Sequence, residues 1–141
     1  MANIILKGRR VSGGVAEGEA LVSKQTVGFY GGIDPNTGII IEKGHELEGQ
    51  NISGRILIFP RGKGSTAGPY VLYASIKRGN GPAAMINIES DAIVAVSAVM
   101  SNIPLVDKLE QNPLEVIANG DKVRVDGDKG IVEIIRDKPE T

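Results

Sequence analysis

Apolar positions in this chain follow two different patterns. Through the first third they come as short runs at residues 4–6, 19–22 and 38–41, separated by Ser12-Gly13-Gly14 and by Asp34-Pro35-Asn36. Gly, Pro, Asn and Asp at the breaks read as turns, so the runs read as short strands in a barrel-like or half-closed sheet.

At Arg55 the pattern changes. Ile56–Phe59 is a continuous apolar run ended by Pro60, the mark of a strand buried on both faces. A polar loop follows, Arg61-Gly62-Lys63-Gly64-Ser65-Thr66. Val71, Leu72, Ser75 and Ile76 then take helical spacing, with Gly79 where a C-cap glycine belongs. Residues 82–88 read as a second apolar strand, Ser90 and Asp91 as caps for a helix over 92–100, and residues 103–106 as a third strand. Alternation of strand and helix at this spacing predicts right-handed parallel crossovers. Lys122–Asp126 alternates with period two, turns through Gly127-Asp128-Lys129-Gly130 and returns over Ile131–Ile135, ahead of a charged, frayed tail at 137–141. The prediction is one mixed α/β domain over residues 1–141. It has a β-rich part over about 1–54, a three-strand parallel β/α layer over about 55–106, and closing strands over about 113–135.

Composition then removes whole classes of function. With 141 residues the chain can bury a core without disulfide staples. No apolar run approaches the ~20 residues of a membrane span, and no signal peptide follows Met1, so a soluble, cytoplasmic protein without a membrane partner is expected. Sixteen Lys+Arg against seventeen Asp+Glu and 4% aromatic residues leave neither a basic face nor a base-stacking platform, so nucleic acid is not an expected partner. The absence of cysteine excludes a thiol nucleophile and a cysteine-ligated metal in this chain, and a single histidine, His45, excludes a multi-histidine site. Demanding chemistry would need a contribution from outside the chain.

The most informative stretch is strand, glycine loop, hydroxyl pair and helix over residues 56–66. Ligands of open α/β sheets bind beyond the carboxyl ends of the strands, which puts residues 62–66 at the functional edge with 89–91 beside them. Gly62 and Gly64 allow close backbone approach, and a following helix start favours an anion. Ser65 or Thr66 can equally serve as the helix N-cap. Lys63 can add positive charge or simply be solvated. The stretch is not a P-loop, because Gly64 rather than Ser or Thr follows Gly62-Lys63 and Leu57 stands where the first glycine belongs. Elsewhere, His45 is a candidate base or phosphorylation site, Arg78 suits a helix C-terminus, and the glycine pairs at 13–14 and 31–32 are candidate cleft-lining loops.

These residues resemble the small subunit, or swivelling domain, of the aconitase X-type dehydratases. The likeness runs through Ser12-Gly13-Gly14, Gly31-Gly32-Ile33-Asp34-Pro35, Gly44-His45, Phe59-Pro60-Arg61-Gly62-Lys63-Gly64-Ser65-Thr66, Arg78-Gly79-Asn80-Gly81-Pro82 and Ser101-Asn102-Ile103-Pro104. The resemblance implies a swivelling β/β/α fold. It also implies that Ser65 is the proton acceptor, supported by Gly62, Lys63, Gly64 and Thr66, and that this chain binds no metal. A cysteine-bearing large subunit would hold a 4Fe–4S cluster and complete the enzyme. Archaeal members dehydrate mevalonate 5-phosphate, a small phosphorylated hydroxy acid, to trans-anhydromevalonate 5-phosphate; bacterial relatives dehydrate cis-3-hydroxy-proline. The chain departs from the aconitase loop at Ala67, where an arginine would follow the hydroxyl pair, so carboxylate recognition must come from elsewhere. The competing class is a mobile phosphohistidine carrier domain, for which His45 would be the acceptor.

Overall fold

The computed structural model describes residues 3–136, so the tail at 137–141 lies outside the described residues. The strands are β1 Ile4–Lys7, β2 Arg9–Ser12, β3 Val15–Val22, β4 Ile56–Phe59, β5 Ala84–Asn87, β6 Leu105–Asp107, β7 Lys122–Asp126 and β8 Ile131–Ile135. Three helices join them: α1 Gly68–Lys77, α2 Ala92–Ser101 and the short α3 Pro113–Val116.

All eight strands form one sheet in the order β1-β8-β7-β3-β4-β5-β6-β2. Its parallel part has four strands, not the expected three, because residues 20–22 of β3 run parallel to β4. The first half of β3 pairs antiparallel with β7, so one eight-residue strand carries the sheet from hairpin to parallel layer. The two ends of the sheet are covered by consecutive pieces of chain. β1 lies antiparallel to β8 and β2 antiparallel to β6, with only Gly8 between them. Gly8 donates its N–H to Gly130 at 2.8 Å, and a Cβ there would stand 2.5 Å from the Asp107 carbonyl oxygen. The N-terminal segment therefore bridges the two ends of the sheet and closes it into a barrel.

Alternation along the strands separates two cores. Ile56 and Ile58, Ala84 and Ile86, and Val106 point into the barrel, where Leu6, Val123, Val125, Val132 and Ile134 meet them. Leu57, Phe59, Met85 and Leu105 point outward under Leu72 of α1 and under Val94 and Ala98 of α2. Burial on both faces explains why β4 to β6 read as unbroken apolar runs.

The expected strand at 38–41 is absent. Only isolated bridges form there, Ile33 with Ile40 and Ile39 with Asn51. The long connection from β3 to β4 is an excursion whose Val27, Phe29, Ile33, Ile40, Leu47 and Ile52 join the helix-side core. Its apolar residues cover an open sheet face instead of extending a ladder, so the β-rich part ends at Val22.

Helix ends place the functional loop. Asp91 caps α2, its carboxylate accepting the Val94 N–H at 2.8 Å, as expected. α1 departs from expectation, because its N-cap is Ala67, which offers no side-chain acceptor, and Thr66 caps nothing. Pro69 in the first turn needs no N–H partner, and this lets the helix begin without a cap. Gly79 ends α1 with φ at +77°, as the sequence predicts. Asp91→Ala should therefore lower stability by about 1 kcal/mol, whereas Thr66→Ala should change it by less than about 0.5 kcal/mol. Urea midpoints of the two variants check this.

Candidate active site

The chain leaving β4 is held on both sides before it reaches Ser65. On one side it pairs with the excursion: Val27 donates to the Arg61 carbonyl at 3.3 Å, and Lys63 donates to the Val27 carbonyl at 3.2 Å. A Cβ on Gly28 would lie 2.7 Å from the Lys63 carbonyl oxygen, so this strap requires a glycine. On the other side the segment after β5 lies against it, with Ile88 and Glu89 donating to the Pro60 carbonyl at 3.0 and 3.3 Å. Gly62 is buried beneath α2, and a Cβ there would overlap Val94 and stand 3.1 Å from an Asp91 carboxylate oxygen. Residues 89–91 thus lie beside the loop, as the sheet-edge rule predicts.

Past Gly62 the chain is free to face a ligand. Gly64 has φ at +102° with open space where a Cβ would be. The half-buried Ser65 turns its hydroxyl oxygen back to accept the Ala67 N–H at 3.0 Å, while its carbonyl accepts the Gly68 N–H at 3.0 Å. The backbone N–H groups of Gly64, Ser65 and Thr66 have no partner among the described residues. One N–H already points at the Ser65 oxygen, and the positive end of α1 follows. This environment favours an oxyanion over a neutral hydroxyl.

The other expected residues divide. The Lys63 ammonium pairs with Glu42 at 2.6 Å, which offsets its charge at the loop. That pair borders a groove of about 360 Å³ lined also by Thr26, Gly44 and His45, but not by Ser65. His45 is buried at 7% exposure, its Nδ1 accepting the Leu47 N–H and its Nε2 facing the Thr26 carbonyl, each at 3.0 Å. The Leu47 contact fixes the proton on Nε2 and leaves no nitrogen lone pair for phosphate, which argues against the phosphocarrier reading. Arg78 is the C-cap of α1, at the far end from Ser65. The glycines at 13–14 also sit at the opposite end of the sheet. Gly14 donates to Asp128 at 2.9 Å and accepts from Gly127 at 2.7 Å, which ties this turn to the β7–β8 hairpin. Gly31, with φ at +76°, turns the excursion.

One cluster near the loop has no local sequence signal. Asp107, fully buried at the end of β6, takes two bonds from Arg9 at 2.9 and 2.7 Å and a third from the Ser90 N–H at 2.7 Å. Burial pushes its carboxyl up, but the Arg9 hydrogen bonds, the Ser90 N–H and the Arg9 charge outweigh it and hold it below the usual carboxylate range. The folded value is depressed, so the stabilisation is present at neutral pH and disappears as pH falls through the folded value. Asp107→Asn should therefore show a flatter decline of stability below about pH 4 than the parent, read as unfolding midpoint against pH.

Comparison with known proteins follows the same outline. Residues 5–134 match the family model of the aconitase X swivel domain. The phosphomevalonate dehydratase small subunit of Methanocella arvoryzae is 59% identical over 129 residues, covering 92% of this chain and 98% of that protein. The Pyrococcus furiosus protein of the same name is 54% identical over 130 residues, covering 92% and 95%. The crystal structure of Thermococcus kodakaraensis aconitase X in its holo-form aligns with a TM-score of 0.89 at 48% identity, over 94% of this chain and 99% of that one. Matched along nearly its whole length in both sequence and fold, the chain belongs to the aconitase X family as its swivel domain.

Proposed function

We propose that this chain is the small subunit of a phosphomevalonate dehydratase, a hydro-lyase that converts mevalonate 5-phosphate to trans-anhydromevalonate 5-phosphate in the cytoplasm. The observation that carries the reading is the Ser65 hydroxyl held by the Ala67 N–H beside unpartnered N–H groups. Relatives at 59% and 54% identity that bear this name support the substrate.

In this reading Ser65 is the base. A serine hydroxyl becomes a useful base only as its alkoxide, which the surrounding N–H dipoles stabilise. Its oxygen takes a proton from the carbon next to the substrate carboxylate. The C–H electron pair becomes the new carbon–carbon double bond. The hydroxyl on the adjoining carbon leaves and takes up a proton from solvent to become water, and Ser65 returns the abstracted proton to solvent. Gly62 and Gly64 let the backbone come close enough to present those dipoles, Thr66 supplies one N–H, and Lys63 stays tied to Glu42.

The family reading includes a 4Fe–4S cluster, and the residues of this chain do not fit one. The sequence has no cysteine, and no group of three His, Cys, Asp or Glu among the described residues could hold a metal ion. The cluster is assigned to a cysteine-bearing large subunit, and no step here is derived through it. A hydroxyl lying on an open loop, outside the groove beside it, suits an active site completed by a second chain. Among the described residues no helix is long and apolar enough to cross a membrane.

The test is turnover of mevalonate 5-phosphate by this chain co-expressed anaerobically with a large subunit from the same genome. Activity that requires both chains is the expected result. An intact, cluster-loaded complex that leaves the compound unchanged would reject it as substrate, and cis-3-hydroxy-proline is the alternative to try.

A further inference from the structure

The outward and inward positions of β4, β5 and β6 are apolar except at the carboxyl ends of two strands. Asn87 closes β5 and Asp107 closes β6, both fully buried, while Phe59 closes β4 in register with Asn87. Polar groups buried without compensation destabilise a fold, and a buried ion pair seldom adds net stability over an apolar replacement. Their placement just under the functional edge calls for another explanation.

Hydrogen bonds link these groups into one relay. The Asp107 carboxylate, clamped by Arg9, accepts the Ser90 N–H at 2.7 Å. The Ser90 hydroxyl donates to the Asn87 side-chain oxygen at 3.0 Å, and the Asn87 amide donates to the Phe59 carbonyl at 3.0 Å. The next carbonyl, that of Pro60, receives the Ile88 and Glu89 N–H groups. Asp91, one residue past Ser90, caps α2 and stands over Gly62. The relay therefore fixes both the exit of β4 and the segment that Gly62 packs against.

We infer that Asp107 is a positioning residue for the Ser65 loop, acting through Ser90 and Asn87. The inference rests on the reading of Ser65 as the base. Asp107 touches no reacting atom. It sets where the chain leaves the sheet, and displacement of a catalytic group by about 1 Å can reduce rate by roughly 10²-fold.

The experiment uses the assembled, cluster-loaded two-chain enzyme and mevalonate 5-phosphate. Asp107→Asn and Ser90→Ala should each lower kcat by roughly tenfold to 10²-fold while KM stays within about twofold, and Ser90→Thr, which keeps the hydroxyl, should restore it. A role in stability alone would move the melting temperature and leave kcat unchanged. In a Ser65→Ala background, Asp107→Asn should produce no further loss, because both changes act on one group. Parental kcat in a folded, assembled Asp107→Asn enzyme overturns the inference. If that variant does not fold, parental kcat for Ser90→Ala overturns it instead. Near-normal turnover by Ser65→Ala, by contrast, removes the base assignment on which the inference rests.

Discussion

Ser65→Ala is expected to lower kcat of the assembled enzyme by about 10²–10⁴-fold, the usual contribution of a positioned general base. KM should change little, because the substitution leaves the backbone N–H groups of the loop in place. Folding should also be nearly unaffected. The Ser65 hydroxyl accepts only the Ala67 N–H, on a half-exposed loop where water can replace it. The check is a rate measurement on parent and variant after both are shown to carry the cluster and the large subunit. Turnover within tenfold of the parent would remove Ser65 from the chemistry and leave the loop as a binding element.

Gly62→Ala is expected to be almost as damaging, for a different reason. The new methyl group would overlap Val94, which is 1% exposed, and press on the carboxylate that caps α2. Neither neighbour is the free end of a flexible side chain, so the loop must move. Overpacking of this kind costs about 1–3 kcal/mol of stability, and a loop shift of about 1 Å lowers kcat by roughly 10²-fold. Gly64→Ala is the control. It meets no atom within 4 Å, and its cost is backbone strain at φ +102°, about 1–3 kcal/mol. Melting temperature and kcat of the pair separate the two effects. A Gly62→Ala enzyme that matches the parent in both would refute the close packing of loop and helix.

The elements legible in the sequence were those whose environment is uniform. β4, β5 and β6 are buried on both faces and show it as apolar runs, and Asp91 and Gly79 mark helix ends by local chemistry alone. β2 was not legible, because Arg-Arg-Val-Ser has no period of its own and becomes a strand only by pairing with β6, nearly a hundred residues away. Residues 38–41 misled for the opposite reason. Three isoleucines in a row suit a strand, yet only Ile40 is buried in the helix-side core, while Ile41 is exposed. At the site, the glycine loop and its serine stood out, while the cap at residue 67 did not. The adjacent hydroxyls of Ser65 and Thr66 look like a cap, and only the backbone reveals that the helix starts later. Neither the Lys63–Glu42 pair nor the Arg9–Asp107 clamp has a local signal, since each joins residues brought together only by the finished fold.

Barrel closure by the N-terminal segment also dictates when this protein can fold. Residues 4–7 pair with 131–134, and residues 9–12 with 105–107, so the first strand synthesised waits for the last. β2 can cover β6 once residue 107 has left the ribosome, but until residues 122–135 follow, β1 and β3 lack their hairpin partners and the barrel-side core lacks Val123, Val125, Val132 and Ile134. Such long-range pairing makes folding slow, on the order of milliseconds to seconds. The nascent chain is therefore exposed to aggregation until the hairpin emerges, and removing the hairpin would open the barrel-side core on the far side of the sheet from α1 and α2.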